Sequence, residues 1–385
     1  MRILFIHAAD GRLKPEYKVH TALATATAEQ HIESFFIWQS SASPLKPEPR
    51  SVTYCDFGRD IGGTLHHSRY RRAILVLKHL PSALRTSIER ARQLRPDIIY
   101  SSQQAMDVPI ARIISRLLKI PHVIHIHYNV GPWLGRYVLS VIRKTPHLIA
   151  VSEFIRQGAL LQGVSPSNIH TVPNAILPSL HAPFDRGHLL ASLGLQEDRP
   201  LVVAAGRLDP GKGHLLLFEA FARVTKRSPH ARLLVCGESS TRNGYDGHLR
   251  QRVAELGISS SVVFAGHRDD LPAILQLAHV FCLPAELEPF GLVYLEAMAA
   301  GLPVVACYSG AVPEIVIHET TGLLSYPDDP DALAENLMKV IDDKALAIRM
   351  GRAGQVRANT EFTLSRVAIH WAKQLRQIGT GYPRA

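Results

Sequence analysis

The stretch LPAELEPFGLVYLEAMAAGLPVVA, residues 283–306, carries two glutamates with seven residues between them. Its middle is typical of a helix that begins near Gly291 and ends at Gly301, which places Glu288 in the preceding loop and Glu296 inside the helix. A helix N-terminus offers free backbone N–H groups and a positive dipole end, and both suit a phosphate. A carboxylate further along can accept two hydrogen bonds from a cis diol such as a ribose. The spacing therefore favours a phosphate site with a diol beside it.

A second glycine-rich segment lies upstream, AAGRLDPGKGH at residues 204–214, and it resembles the phosphate loop of a nucleoside triphosphatase. Gly213 stands where such a loop needs the Ser or Thr that binds magnesium, so this is either a broken loop or a site for another phosphate chemistry. Arg207 and Lys212 follow the apolar run LVVAAG, at the strand end where open α/β sheets bind ligands. Two cations and a helix N-terminus could neutralise a leaving diphosphate without a metal ion. The alternative is an exposed loop with ordinary charges.

Short apolar runs alternate with amphipathic segments along the whole chain, as in helices packed on parallel sheets. The predicted strands are RILFIHA, DIIYSS, HVIHIH and LIAVS in the first half, and LVVAAG, RLLVCG, VVFAG, VFCLP and PVVAC in the second. This rhythm predicts an α/β fold with two Rossmann-like halves. A proline-rich linker near residues 173–183 divides them. We expect domains at residues 1–178 and 179–363, followed by a final helix within residues 364–385.

The bulk composition is that of a soluble globular protein. The chain has 385 residues, of which 46% are hydrophobic and 20% charged, and this length favours two domains. We find no apolar run of about 18 residues, and the N-terminal apolar run is too short for a signal peptide. The four cysteines have neither metal-like nor disulfide-like spacing. We therefore expect buried free thiols and a cytoplasmic protein.

The positive charge is concentrated in the first half of the chain. The formal net charge is +10, and residues 1–180 carry 22 Lys and Arg against 11 Asp and Glu. A basic stretch at residues 66–96 suits an anionic membrane surface, an acidic polymer or nucleic acid, or is simply a solvated helix face. A second basic and aromatic segment, WLGRYVLSVIRK at residues 133–144, is either a core helix or a membrane contact.

Several motifs together resemble one enzyme family. In the second half these are GRLDPGKGH, VCGES, FAGHRDDLPAIL, LPAELEPFGLVYLEAMAAGLPVV and SGAVPEIVIHETTGLL; in the first half, more weakly, PHVIHIHYN and VSEFIRQGALLQGVSPSNIHTVPNAI. The chain is similar to retaining GT-B glycosyltransferases of family 4. The resemblance implies two Rossmann-like domains facing across a cleft, with a final helix that crosses back to the first.

The implied activity is transfer of a sugar from a UDP- or GDP-sugar to an acceptor hydroxyl, with no metal or other cofactor. The second domain would bind the nucleotide-sugar donor, and the first a sugar or lipid-linked acceptor. The pathway would be polysaccharide, lipopolysaccharide or glycolipid assembly. An acceptor of that kind, together with the basic first half, favours peripheral attachment to the inner face of the cytoplasmic membrane and not a nucleic-acid partner.

The resemblance also assigns roles to single residues of the second half. Arg207 and Lys212 would bind the donor diphosphate, Glu296 would bind the ribose hydroxyls, and Glu288 would face the donor sugar. The backbone amides at the start of the helix would complete the diphosphate site: Phe290, Gly291 and Leu292. The loop after VVFAG would lie near the base, with Gly266, His267 and Arg268 as its candidates.

In the first half, the family's histidine near the transferred sugar corresponds to His127, whereas His125 is expected in the core. His122 would point to the other face of the strand, which argues against a metal site built from the three histidines. Ser152 and Glu153 could border the cleft, although Ser152 is the better candidate for a helix N-cap. The expected catalytic residues are His127, Glu288, Arg207 and Lys212.

The sequence departs from the family pattern at three places. The glycine pair expected after the first strand is reduced to Gly11, which leaves the loop on the acceptor side undefined. Ala175 and Ala311 stand where the family has glycines, and their methyl groups could tighten the backbone at positions that are not essential to the proposed site. Basic residues around Gly11 hint at an anionic acceptor: Arg12, Lys14 and Lys18. A nucleotide-sugar epimerase, a phosphorylase and a nucleotide-binding protein without catalysis remain as alternatives.

Overall fold

The computed structural model describes residues 1–8, 15–39, 51–57, 69–177, 184–197, 199–239 and 244–380. The chain divides into a first unit, Met1–Leu177 with Leu364–Ala385, and a second unit, Pro178–Thr363. The division after Leu177 lies one residue before the expected boundary. The segment from Leu364 onward belongs to the first unit. Among the described residues, no helix is both long enough and apolar enough to cross a bilayer.

A parallel sheet forms the centre of the first unit. Its order is β3-β2-β1-β4-β5-β6-β7, and it reverses between β1 and β4. The strands are β1 (Arg2–His7), β2 (Glu33–Gln39), β3 (Val52–Cys55), β4 (Ile98–Ser102), β5 (His122–Ile126), β6 (Leu148–Ala150) and β7 (Ile169–Thr171). The helices around it are α1 (Pro15–Ala26), α2 (Arg69–Leu94), α3 (Asp107–Leu118), α4 (Arg136–Lys144), α5 (Glu153–Leu161) and α14 (Leu364–Thr380).

The last helix, α14, is tied into the core of the first unit. Trp371 is fully buried, and its indole Nε1 donates to the hydroxyl of Tyr100 at 2.9 Å. The ring of Trp371 also stacks near Phe5 of β1. Large aromatic rings bury much apolar area, so these contacts fix α14 to the sheet. The same unit confirms Ser152 as an N-cap, because its Oγ accepts from Ile155 N at 3.2 Å.

The second unit repeats this architecture. Its parallel sheet has the order β10-β9-β8-β11-β12-β13. The strands are β8 (Leu201–Ala205), β9 (Arg232–Cys236), β10 (Val262–Gly266), β11 (Val280–Cys282), β12 (Val304–Cys307) and β13 (Gly322–Ser325). The helices are α6 (Arg186–Ser192), α7 (His214–Arg227), α8 (Tyr245–Glu255), α9 (Leu271–Leu277), α10 (Leu292–Ala299), α11 (Val312–Ile315), α12 (Pro330–Asp342) and α13 (Lys344–Glu361).

The strand order of the second unit brings the two motifs together. It reverses between β8 and β11, which are paired neighbours. The loop after β8 is the glycine-rich segment, and the loop after β11 contains Glu288. A parallel sheet puts the carboxyl ends of adjacent strands at one edge, and a reversal of order opens a ligand crevice there. The α/β fold with two Rossmann-like halves is confirmed, and so is the burial of all four cysteines as free thiols.

Candidate functional site

Gly213 explains why the glycine-rich loop carries no hydroxyl. It adopts the left-handed conformation, with φ +70° and ψ 20°, at the N-terminus of α7. A Cβ built there would lie 1.9 Å from the carbonyl oxygen of Pro284, in the loop after β11. Any residue except glycine would be strained by its φ angle and would also collide with that backbone. Close packing of two loops therefore excludes the Ser or Thr of a phosphate loop at this position.

The same two loops bring Lys212 and Glu288 into contact. Lys212 Nζ donates to Glu288 Oε2 at 2.5 Å, and Glu288 is only 7% exposed. The backbone N–H of Glu286 also donates to the carbonyl of Gly211 at 2.9 Å. Lys212 and Glu288, both expected at the site, thus form an ion pair that is largely shielded from water. Charges in such a place interact more strongly than charges on the surface.

A tight turn after β12 supports the backbone of Glu288. Ala311 N donates to Glu288 O at 2.8 Å, and Ser309 Oγ accepts from Leu287 N at 2.7 Å. Gly310 has φ +57°, and a Cβ there would lie 2.5 Å from Glu288 N. This turn therefore fixes the backbone of the loop that carries Glu288, a role that its sequence alone does not indicate.

The N-terminus of α10 follows directly. Gly291, with φ +98°, is its N-cap residue, and a glycine has no side chain with which to cap the helix. A Cβ at Gly291 would meet the Tyr294 ring at 2.4 Å, so glycine is required here too. Phe290 is buried, with its ring 6.2 Å from that of Phe362. Glu296 lies one turn into the helix and is half-buried. The predicted order of loop carboxylate, helix N-terminus and helix carboxylate is therefore present.

Arg207 differs from Lys212 in its surroundings. Its side chain is 61% exposed and forms an ion pair with Asp209 at 3.0 Å. An exposed pair of this kind contributes only about 0–1 kcal/mol, so an incoming anion can replace the carboxylate at small cost. Arg207 lies beside the expected diphosphate site without being locked in place.

The loop after β10 holds the residues expected to recognise the base. Gly266 ends β10 with φ +69°, and its carbonyl accepts from Gly237 N at 2.7 Å. Arg268 makes a bidentate pair with Asp270 at 2.7 and 2.6 Å, and this pair lowers the pKa of Asp270. His267 is exposed, 3.2 Å from Asp269. The guanidinium of Arg268 is thus already satisfied within its own loop.

The first unit places His127 just after β5, almost fully buried. Its Nε2 lies 3.1 Å from Nε2 of His20, on α1. His125 is 1% exposed, with Nδ1 2.9 Å from the Tyr100 hydroxyl, which confirms its expected place in the core. His122 bonds instead to Ser101 Oγ at 2.9 Å. Burial lowers the pKa of His127 well below its usual range and that of His125 to about 3.

Comparison with known proteins supports the expected class. The Glycosyltransferase Family 4 model matches residues 19–179, and the Glycosyl transferases group 1 model matches residues 185–357. The alpha-maltose-1-phosphate synthase of Mycobacterium tuberculosis is 32% identical over 285 residues, covering 66% of this chain and 72% of that protein. An uncharacterized glycosyltransferase of Methanocaldococcus jannaschii is 36% identical over 154 residues, covering 40% of this chain and only 38% of that protein.

The structural comparison agrees with these matches. HepE of Anabaena, solved in complex with UDP-glucose, aligns with a TM-score of 0.80 at 22% identity, covering 98% of this chain and 100% of that one. The chain belongs to the GT-B glycosyltransferases. The GT-B fold expected from its motifs is confirmed, and the protein is a glycosyltransferase enzyme.

The first unit of this glycosyltransferase contains polar residues that sequence reasoning missed. Asp107, fully buried, accepts from Ala8 N at 2.8 Å, from Ser102 Oγ at 2.7 Å and from the Tyr17 hydroxyl. Burial raises the pKa of Asp107 to about 7. Glu16 is buried as well and accepts from the Tyr128 hydroxyl at 3.2 Å. Asp107 stands between Met106 and Val108, and that was the available signal, whereas Glu16 lies between Lys14 and Lys18 and reads as an ordinary surface residue.

Two further expectations concern places that the structure describes only in part. Gly11, Arg12 and Lys14, at the basic loop after β1, lie outside the described residues, while Lys18 is exposed on α1. In the basic stretch at residues 66–96, the described part includes Arg85, which is exposed and pairs with Glu89 at 2.9 Å. At least this part of the stretch is a solvated helix face.

Proposed function

We propose that the protein is a retaining, metal-independent glycosyltransferase of family 4 that transfers a sugar from a UDP- or GDP-sugar to an acceptor hydroxyl. The observation that carries this proposal is the convergence of Lys212, Glu288 and the N-terminus of α10, whose N-cap is Gly291, at the strand-order reversal of the second unit. Such a crevice is where open α/β sheets bind nucleotides. The first unit would bind the acceptor, in polysaccharide, lipopolysaccharide or glycolipid assembly.

The proposed reaction breaks the bond between the anomeric carbon and the diphosphate oxygen. The electron pair leaves with the diphosphate, and the sugar gains oxocarbenium character. Lys212, Arg207 and the N–H groups of Phe290, Gly291 and Leu292 would stabilise the departing charge. The acceptor hydroxyl would attack the same face of the sugar and pass its proton to the departing phosphate.

The remaining residues would orient the donor. Glu296 would accept hydrogen bonds from the ribose hydroxyls, and residues 266–268 would lie near the base. Glu288, held by the turn at Gly310, would face the donor sugar, where a carboxylate stabilises positive charge on the ring. His127 would contact the transferred sugar from the first unit. The names of the relatives support this donor class, since HepE was solved with UDP-glucose.

Nucleotide binding and turnover test this proposal. We expect UDP, GDP or ADP to raise the melting temperature of the protein, because a ligand at 100 times its Kd stabilises the folded state by about 2.7 kcal/mol. Sugars carried on that nucleotide should then be transferred in the presence of EDTA. Turnover without any acceptor to an epimeric nucleotide sugar, or turnover that requires free phosphate, would indicate the two alternative enzymes. Binding without turnover over a wide acceptor panel would contradict catalysis.

We also propose that α4 contacts an anionic membrane surface. Val138, Val141 and Ile142 are buried, so one side of α4 packs in the core. For this side, the expected alternative of a core helix is correct. The exposed side carries Trp133 just before the helix, 60% exposed, and Tyr137, 55% exposed. Exposed basic side chains lie on α4 and on the neighbouring α3: Arg116, Lys119, Arg136, Arg143 and Lys144. Aromatic rings suit the headgroup region, and each cation near an anionic surface adds about 1 kcal/mol.

Vesicle co-sedimentation tests this surface. Full-length protein should sediment with phosphatidylserine vesicles at low salt and much less at high salt, because salt screens the attraction. The double variant Arg136→Glu with Lys144→Glu should lose most binding. The matched control is Lys339→Glu with Arg352→Glu, which makes the same charge change at exposed sites on α12 and α13. Equal loss in both variants, or no binding at low salt, would contradict the proposal.

A further inference from the structure

Four buried rings of the first unit form one continuous hydrogen-bonded chain. Trp38 Nε1, at the end of β2, lies 2.6 Å from His7 Nδ1, at the end of β1. His7 Nε2 lies 2.9 Å from His20 Nδ1, and His20 Nε2 lies 3.1 Å from His127 Nε2. The four rings come from two neighbouring strands, a helix and the loop after β5, so the chain exists only in the folded unit.

The Trp38 indole determines which nitrogen carries the proton in each of the three histidines. An indole N–H can only donate, so His7 Nδ1 must accept and the His7 proton must be on Nε2. That N–H donates to His20 Nδ1, which places the His20 proton on Nε2. The His20 N–H in turn donates to His127 Nε2. A neutral His127 therefore carries its proton on Nδ1, the form that free histidine populates less than the Nε2–H form.

The three imidazoles are neutral near pH 7, as this order requires. Burial lowers the pKa of His7, His20 and His127 well below the usual range, and for His20 the neighbouring His127, His7 and His125 lower it further. Two buried carboxylates of the same unit accept hydrogen bonds from other groups. Asp107 accepts hydrogen bonds from Ala8, Tyr17 and Ser102, and Glu16 accepts from Gln104 and Tyr128.

We propose that Trp38, His7 and His20 are positioning residues that hold His127 as the Nδ1–H tautomer, so that it donates a hydrogen bond to an oxygen of the bound sugar. The proposal rests on the proposed function for the sugar. His127 as a residue keeps 6% of its surface exposed, and no described hydrogen bond uses its Nδ1. A donor held in advance stabilises a transition state better than one that must reorient, because no reorganisation accompanies the reaction.

A metal ion is the competing interpretation of the same cluster. His20, His125 and His127 each offer a nitrogen within 4.8 Å of the others. However, both nitrogens of His20 are engaged in the chain. His125 Nδ1 lies 2.9 Å from the Tyr100 hydroxyl, which itself accepts from the Trp371 indole. A metal bound to all three rings would therefore have to break the hydrogen-bonded chain at His20.

Imidazole ¹⁵N chemical shifts test the tautomer directly. They distinguish N–H from lone-pair nitrogens in full-length protein labelled at histidine, with signals assigned by single histidine variants. At pH 7.5 we expect Nε2–H signals for His7 and His20 and an Nδ1–H signal for His127. Trp38→Phe removes the indole donor, so His127 should shift towards the Nε2–H form. The control Ser101→Ala, which alters the partner of His122 on the other face of β5, should leave the His127 signals unchanged.

Kinetics test the positioning role. Trp38→Phe should lower kcat for sugar transfer about tenfold, while the thermal shift caused by the nucleotide stays that of the wild type. An Nε2–H signal for His127 in the wild type would overturn the assignment, and this measurement needs no variant. A shifted tautomer with unchanged kcat would overturn the positioning role. Joint shifts of His20, His125 and His127 on adding Zn²⁺ would favour the metal site instead. A wild type without turnover would contradict the proposed function but not the tautomer.

Discussion

At the scale of single residues, the pair formed by Lys212 and Glu288 is the most informative contact of the second unit. The two residues are 76 positions apart and meet at 2.5 Å. Because Glu288 is largely buried, it is costly to leave without a partner. The pair keeps the ammonium group close to the N-terminus of α10, where a diphosphate would be neutralised.

Lys212→Ala should lower the rate of sugar transfer by about 100- to 1000-fold, the usual cost of removing one group that stabilises transition-state charge. Steady-state kinetics with the donor found by the nucleotide screen measure this loss. Lys226→Ala is the matched control, since Lys226 is exposed in the last turn of α7. A Lys212→Ala variant with the full transfer rate would contradict the assigned role.

At the scale of elements, two glycines of the loop after β8 differ in whether the structure has room for a side chain. Gly213 has φ +70° and lies against the carbonyl of Pro284, whereas a Cβ on Gly211 would meet nothing within 4 Å. The loops after β8 and β11 also meet at Gly211 and Lys212, but of these two glycines only Gly213 lies too close to the second loop for a side chain. The contact between Gly213 and Pro284 therefore explains why the loop departs from a triphosphatase motif, whatever phosphate it binds.

Gly213→Ala should separate the two loops, destabilise the protein by about 1–3 kcal/mol and lower transfer strongly, because the strained φ and the collision act together. Gly211→Ala, two residues away, should change stability by less than about 0.5 kcal/mol. Denaturant unfolding measures both. Equal stability of the two variants would contradict the close packing of Gly213 on the loop after β11.

The elements also show where sequence reasoning succeeds and where it ends. Strands such as β1 and β8 are continuous apolar runs, as strands buried on both faces must be, and they were predicted. The edge strands β3, β7 and β13 were missed because three or four residues carry little periodicity. The longer β2 was missed because polar residues stand at both of its ends.

The candidate site divides in the same way. Lys212, Glu288 and the start of α10 follow from local spacing in two motifs. The chain from Trp38 to His127 does not, because each of its rings sits on a different segment and looks locally like a core residue. Contacts of this kind depend on the tertiary fold, and pattern reasoning on a single sequence cannot recover them.

At the scale of the whole molecule, charge and chemistry are divided between the two halves. Residues 1–180 hold 22 basic against 11 acidic residues, and the remaining residues hold 21 against 22. The excess thus lies in the half proposed to bind the acceptor and the membrane, whereas the proposed donor site lies in the electrically balanced half. This division suits an enzyme that takes a soluble donor to an acceptor at an anionic surface.

The central claim is retaining transfer without a metal, and the anomer of the first-formed product tests it most directly. Full-length protein in EDTA, given the α-linked nucleotide sugar identified by the screen, should transfer or slowly hydrolyse it. ¹H NMR, recorded before mutarotation, should show the α anomer first, at a rate that added Mg²⁺ does not change. A β anomer formed first, or activity that EDTA abolishes and Mg²⁺ restores, would contradict the account.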